Sequence, residues 1–286
     1  MKKIKLNLGA SPIWSCDGWH TLDHKLTENI DNAIAGDAAD INLPDESCEV
    51  VFCSHVFEHI PHIKLPLVLS EINRVLVKGG ILRLLTPDLE KIASAYVNKD
   101  KDFWDKFHQE DENIRSDLGF GGRFANSFVS PGQDTVLLNR NLDQFISGYA
   151  HLYNYDYEMM SILLSECGFK SRKADFNDSV ISELRTPLHI QGFEPVWQNF
   201  NRQFYKDHNL VHELVDGVYN INFKVTGFDR DPVSSLIVEA SKDLFISKEV
   251  INEKVNNSTE NYNRYAYSLL SDDSFKEKLK SLGIKF

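Results

Sequence analysis

The chain has 286 residues, 42% hydrophobic and 26% charged, which suits a folded globular protein with a proper core and is too apolar for a disordered one. Its 31 Lys and Arg against 42 Asp and Glu leave a formal charge of −11, which argues against nucleic acid or an anionic membrane surface as the main partner. No apolar stretch approaches the roughly 20 residues of a membrane span, and Met1-Lys2-Lys3 runs into a short strand rather than a signal-peptide core. Cys16, Cys48, Cys53 and Cys167 form no CxxC, so the expectation is a cytoplasmic protein with reduced thiols.

In chain order, Ile4 to Leu8 alternates as a strand and stops at Gly9, ahead of Ala10-Ser11-Pro12. Trp19 to Leu22 makes a second strand ending on Asp23, with too few residues between for more than a short helix. Ala35 to Leu43 contains Asp37 and Asp40 and leads into the turn Pro44-Asp45-Glu46-Ser47; Glu49 to Ser54 is a buried strand. Leu65 to Val77 carries apolar residues near the 3.6 period, and Gly79-Gly80 are predicted to stop that helix. Ile81 to Leu85 is the next strand, and Thr86-Pro87-Asp88 opens another helix. A helix over Tyr155–Cys167, a strand over Phe169–Phe176 and a last strand over Ser234–Ala240 complete the core. This rhythm predicts an α/β fold, a doubly wound and mostly parallel sheet. The expected division is a domain over 1–243, interrupted by a lid at about 98–148 and an aromatic insertion at 180–226, followed by a helical, polar tail over 244–286.

Ligands of open parallel sheets bind beyond the carboxyl ends of the strands. Those ends carry Gly9, then Asp23, then Asp37 or Asp40, then Ser54-His55. Two successive carboxylates suit a ribose diol and an exocyclic amine, although Asp after a strand is also ordinary turn chemistry. The first turn has one glycine where a dinucleotide fingerprint needs three, which counts against NAD and leaves an adenosine-type ligand.

Leu6-Asn7-Leu8-Gly9-Ala10, Gly18-Trp19-His20-Thr21-Leu22-Asp23, Asp40 with Leu43-Pro44, Ser54-His55-Val56-Phe57-Glu58-His59-Ile60 and Lys78-Gly79-Gly80-Ile81-Leu82, in this order, resemble a class I S-adenosylmethionine-dependent methyltransferase. The nearest likeness is to the subgroup linked to bacterial surface-glycan biosynthesis, which His151-Leu152-Tyr153-Asn154-Tyr155-Asp156 and Ser235-Leu236-Ile237-Val238-Glu239-Ala240-Ser241-Lys242 also resemble. The resemblance implies a Rossmann-like methyltransferase fold and S-adenosylmethionine as cofactor. It implies Gly9 and Ala10 against the methionine part, Asp23 on the ribose, Asp40 with the Ile41 backbone on the adenine amine, and Ser54 and His55 beside the methyl. The sequence departs from the family in the missing glycines of the first turn and in Asp45, where an aromatic usually follows Leu43-Pro44. The implied activity is methyl transfer to an oxygen of a sugar-containing acceptor. A non-catalytic binding protein on the same fold is the alternative that the degraded turn favours.

Two histidine patterns remain. His55-Val56-Phe57-Glu58-His59 spells H-x-x-E-H, a zinc pattern that needs both imidazoles on one face of a sound helix and a third ligand. His55 directly follows a strand and Pro61 interrupts, so no metal is expected, and Glu58 and His59 are read as capping and packing the turn. His151 falls where the chain should return to the sheet's carboxyl edge. It is read as a general base on the acceptor hydroxyl, with His55 as the other candidate; a structural tie to backbone is the competing reading. The aromatic run Phe193, Trp197, Phe200, Phe204 and Tyr205 is read as an insertion core.

Overall fold

A computed structural model describes residues 3–10, 18–24, 32–107, 119–129, 151–176, 178–185, 214–215, 218–219, 229, 233–270 and a few positions beyond. Much of the expected lid and most of the 180–226 insertion, including the Phe193–Tyr205 aromatics, lie outside these residues.

The sheet follows from the alternating and apolar runs: β1 (Ile4–Leu8), β2 (Trp19–Asp23), β3 (Ala33–Ala35), β4 (Cys48–Ser54), β5 (Leu76–Pro87), β6 (Phe169–Ala174) and β9 (Ser235–Lys242). A two-strand hairpin, β7 (Leu214–Val215) and β8 (Val218–Tyr219), stands apart. The seven strands run in the order β3-β2-β1-β4-β5-β9-β6, parallel from β3 to β5, with β9 antiparallel to both its neighbours. The expected mostly parallel α/β sheet is therefore present, and its strand order reverses between β1 and β4. That reversal puts the crevice at the carboxyl ends of those two strands.

Leu6, Leu8, Val51, Cys53, Leu82, Leu84 and Val238 point to one face of the sheet. Helix α1 (Leu65–Val75) covers it with Leu65, Val68, Leu69, Ile72 and Val75, which recur at helical spacing. Helix α5 (Tyr157–Glu166) adds Met160 and Leu164, and α6 (Lys248–Leu270) adds Ile251. The predicted polar tail thus packs its first turn onto the core and onto α1, and Lys248 reaches Glu71 of α1 at 3.3 Å. Residues Ile92 and Ala95 of α2 (Leu89–Val97) and Trp104 of α3 (Lys101–Phe107) form a separate cluster, against which Phe120, Phe124 and Phe128 of α4 (Gly119–Val129) pack. Among the described residues no helix is long and apolar enough to cross a membrane.

Two boundaries differ from the sequence expectation. Helix α1 ends at Val75, because Leu76 is extended and pairs with Cys48 of β4. Gly79-Gly80 therefore belong to β5 and not to a helix cap. Gly79 has φ +73, and the register between β4 and β5 shifts from Cys48↔Leu76 to Val50↔Ile81, so the glycines absorb extra chain in an irregular strand start. On the other face of the sheet, Arg83 is fully buried and makes two bonds to Asp229, 2.8 and 2.6 Å, while Glu239 lies across from it on β9. Arg172 on β6 completes the cross-strand row at 3.0 Å from Glu239.

Candidate active site

The chain crosses the carboxyl edge of the sheet at five strand ends. Gly9 turns the chain after β1 with φ +70, and its N–H donates to the Leu22 carbonyl at 2.8 Å. A Cβ at this position would overlap Val56 Cγ2, so only glycine lets the β1 turn lie against the β4 turn. Ala10 follows, half-buried. Asp23 ends β2, half-buried, one strand away.

After β3 the two acidic residues separate in role. Asp37 Oδ1 accepts from the Ala39 N–H at 2.8 Å and its carbonyl accepts from the Asp40 N–H at 3.0 Å, so Asp37 builds the turn. Asp40 is exposed and its carboxylate makes no hydrogen bond among the described residues. Ile41 differs from the expectation that its backbone holds an adenine amine. Its N–H donates to Glu71 Oε2 at 3.0 Å and its carbonyl accepts from Arg74 at 2.8 Å, which ties the acidic turn to α1. Arg74 also reaches Asp45 at 2.6 Å, so the residue that replaces an aromatic after Leu43-Pro44 serves the same brace.

The densest chemistry lies after β4. His55 has φ +53, a conformation that non-glycine residues seldom adopt and that occurs at functional turns. Its Nδ1 lies 3.0 Å from Glu58 Oε1 and its Nε2 lies 3.0 Å from Ser235 Oγ of β9. Glu58 is wholly buried and also accepts from Thr86 Oγ1 of β5 at 3.2 Å. Burial alone would raise its carboxyl. The hydrogen bond from His55 and the charges of His55, His151 and His59 outweigh that and hold it at about 2. Glu58 is thus a buried carboxylate that orients an imidazole, and the expected capping role fails because the turn over Phe57–His59 has no side-chain cap. The signal was present in the H-x-x-E-H string, but only the turn shows that His55 and Glu58 pair with each other.

His151 does return to this edge. The N–H groups of Leu152 and Tyr153 donate to the Glu58 carbonyl at 2.7 and 3.3 Å, and Tyr155 pairs with Asp88 beyond β5. The His151 ring meets His59 edge-on, with centroids 4.9 Å apart. Burial pushes its imidazole down to about 4, so it is neutral at pH 7 and a weak proton acceptor. Ser54 Oγ at the end of β4 and the amide nitrogen and oxygen of Asn154 are among the polar atoms buried at or near this edge without a hydrogen-bond partner among the described residues. Buried orphans of this kind mark places where a ligand or water completes the bonding.

Residues 4–84 match a family described as a methyltransferase domain. The matched segment runs from β1 into β5 and carries Gly9, Asp23, Asp40, Ser54, His55 and Glu58. No curated protein matches the chain. Among solved structures the chain is similar to an S-adenosylmethionine-dependent methyltransferase from Archaeoglobus fulgidus (15% identity, 84% of this chain and 86% of that one, TM-score 0.38). It is also similar to an S-adenosylmethionine-dependent methyltransferase from Mesorhizobium loti (13%, 83% and 90%, 0.39). A third is geranyl diphosphate C-methyltransferase from Streptomyces coelicolor, solved with S-adenosyl-L-homocysteine (9%, 85% and 71%, 0.37). Likenesses this distant say nothing of acceptor or mechanism. The match over residues 4–84 agrees with the methyltransferase expectation.

The residues present fit S-adenosylmethionine, the cofactor expected from the sequence. The glycine turn after β1 carries no side chain, Asp23 closes β2, Asp40 lies in the turn that follows β3, and Ser54 Oγ is buried without a partner among the described residues.

Proposed function

We propose that the chain is a methyltransferase that moves the methyl group of S-adenosylmethionine to an oxygen of a sugar or sugar-containing acceptor. The observation that carries the reading is the His55–Glu58 pair, held at the end of β4 directly beside the Gly9 turn. The acceptor class rests on the resemblance of residues 54–60, 151–156 and 235–242 to surface-glycan methyltransferases. The buried, unbridged thiols of Cys48, Cys53 and Cys167 suit a reducing cytoplasm. The catalytic unit in this reading is 1–243, with 244–286 as an extension.

The cofactor, when bound, supplies an electrophilic methyl on a sulfonium. The backbone of Gly9 and Ala10 takes its amino-acid end, and Asp23 accepts from the ribose hydroxyls. Asp40 accepts from the adenine amine without Ile41, whose backbone is already engaged. His55 is the base. Its Nδ1 proton is fixed on Glu58, which leaves Nε2 to take the acceptor's hydroxyl proton in place of Ser235. The ionised Glu58 stabilises the imidazolium that forms. His151, neutral and weakly basic, gives up the base role expected from the sequence.

The test is calorimetry with S-adenosylhomocysteine and NAD, followed by transfer of labelled methyl from S-adenosylmethionine to sugar nucleotides and surface glycans. Binding of S-adenosylhomocysteine but not NAD is expected, with label in an alkali-stable ether. Binding with no transfer to any oxygen acceptor supports the non-catalytic alternative, and NAD binding overturns both.

A further inference from the structure

We propose that Glu58, His59 and His151 form a site for a first-row divalent transition-metal ion, with one carboxylate and two imidazoles as the protein's ligands. The ligand atoms of the three residues all lie within 4.8 Å of one another, with Glu58 buried and the two histidines half-buried. Two imidazole nitrogens and one carboxylate oxygen are the donor set of zinc and iron(II) sites that keep an open coordination position. An ion about 2.1 Å from each would hold tetrahedral ligands about 3.4 Å apart, so small side-chain movements close the site.

The trio differs from the pair that the H-x-x-E-H string suggests. His55 is drawn away to Ser235, and the third ligand comes from a segment 92 residues further on in the sequence. That segment is not loosely placed, since Leu152 and Tyr153 donate to the Glu58 carbonyl. All three ligands therefore sit on one backbone-tied unit.

The electrostatics suit a cation. Glu58 is a buried carboxylate, and a buried charge needs a counter-charge close by. The outer contacts are those of a ligand sphere as well. Thr86 and His55 orient the Glu58 carboxylate, and a backbone hydrogen bond with Ser127 orients the His151 ring. The site does not depend on the methyl-transfer reading. On that reading, a bound ion would supply Lewis acidity near the acceptor's hydroxyl.

The test uses the full chain without an affinity tag, stripped with chelator and titrated with cobalt(II) and zinc chlorides in the absence of cofactor. One equivalent is expected, with the visible absorption of low-coordinate cobalt and a thermal midpoint that rises with zinc concentration. His59→Ala and His151→Ala should each weaken binding by about a hundredfold or more, and Thr86→Val by about tenfold through loss of the hold on Glu58. No stoichiometric binding of either ion to the wild-type chain overturns the site, as does binding unchanged in both histidine variants. S-adenosylhomocysteine is titrated into the same samples. A chain that binds the nucleoside but neither ion loses only the metal site, and one that binds the ions but not the nucleoside loses only the methyltransferase reading.

Discussion

Gly9 to Ala is the sharpest probe of the crevice. Two penalties are separable there. A φ of +70 costs an L-residue roughly 1 to 2 kcal/mol against glycine. The new Cβ would also overlap Val56 Cγ2 and lie 3.2 Å from Cγ1, and β-branched valine has little rotameric freedom to retreat, which adds about 1 to 3 kcal/mol of overpacking. Gly9→Ala should thus lose about 2 to 5 kcal/mol of stability. Val56→Ala removes the overlap and leaves the backbone strain, so the double variant should recover the overpacking part as a favourable coupling of about 1 to 3 kcal/mol. Urea unfolding of the wild type, both single variants and the double variant measures that coupling directly. Calorimetry with S-adenosylhomocysteine on the same set asks whether the β1 turn meets the cofactor. Additive stabilities, with the double variant no better than the sum of the singles, would refute the close approach of the two turns.

Asp23→Ala should weaken S-adenosylhomocysteine by about 1 to 3 kcal/mol, because the ribose donors lose their acceptor; unchanged affinity by calorimetry removes Asp23 from the site. Asp229→Ala should cost about 3 kcal/mol in urea unfolding by removing the closer of the two counter-charges of the buried Arg83 and leaving it Glu239 alone, whereas an Arg83→Met, Asp229→Leu double change should cost less; equal losses would show that the pair itself, not the weakened compensation of the charge, is what matters. His55→Ala should lower turnover about a hundred- to ten-thousandfold, and Glu58→Gln should move the acid limb of the pH–rate profile; an unchanged profile in Glu58→Gln would separate the carboxylate from the base. His151 is held at about 4 against an ordinary 6.5, so the unfolded chain protonates there first and stability falls between about pH 6.5 and 4, while Glu58, at about 2 against 4.5, adds stability that is complete above about pH 4.5 and lost as pH falls through about 2. Unfolding curves from pH 7.5 to 4 should show the first slope, up to about 3 kcal/mol, in the wild type and a reduced one in His151→Ala, and parallel curves would contradict it.

The fold was legible because each strand of the sheet reads as a short apolar run closed by a marked residue, and helix α1 repeats its apolar residues at 3.6. What stayed hidden were contacts between elements far apart in sequence. The Gly79-Gly80 pair looks like a helix stop until Leu76 is seen pairing with Cys48, a register decided by β4 and not by the local sequence. Asp37 and Asp40 are interchangeable as letters. The Asx turn that spends the Asp37 carboxylate on Ala39 separates them, and Ile41 drops out once Glu71 and Arg74, some thirty residues on, are seen to hold its backbone.

The histidines make the same point more strongly. A five-residue string offers His55, Glu58 and His59 as neighbours, and spacing alone suggests that the histidines act together. The positive φ at His55 breaks that symmetry. It swings one imidazole across β5 toward Ser235 while the carboxylate stays in reach of both its own turn and the returning chain. The carbonyl of Glu58 then receives Leu152 and Tyr153, which brings His151 against His59. One residue thereby serves two neighbours: its Oε1 fixes the tautomer of His55, and its buried charge stands between two imidazoles from distant parts of the chain. Removing the charge at Glu58 must therefore disturb proton transfer at His55 and ion binding at His59 and His151 together, whereas His59→Ala and His151→Ala should touch the ion and leave the His55–Glu58 hydrogen bond in place. That asymmetry follows from geometry alone and holds whatever the acceptor is.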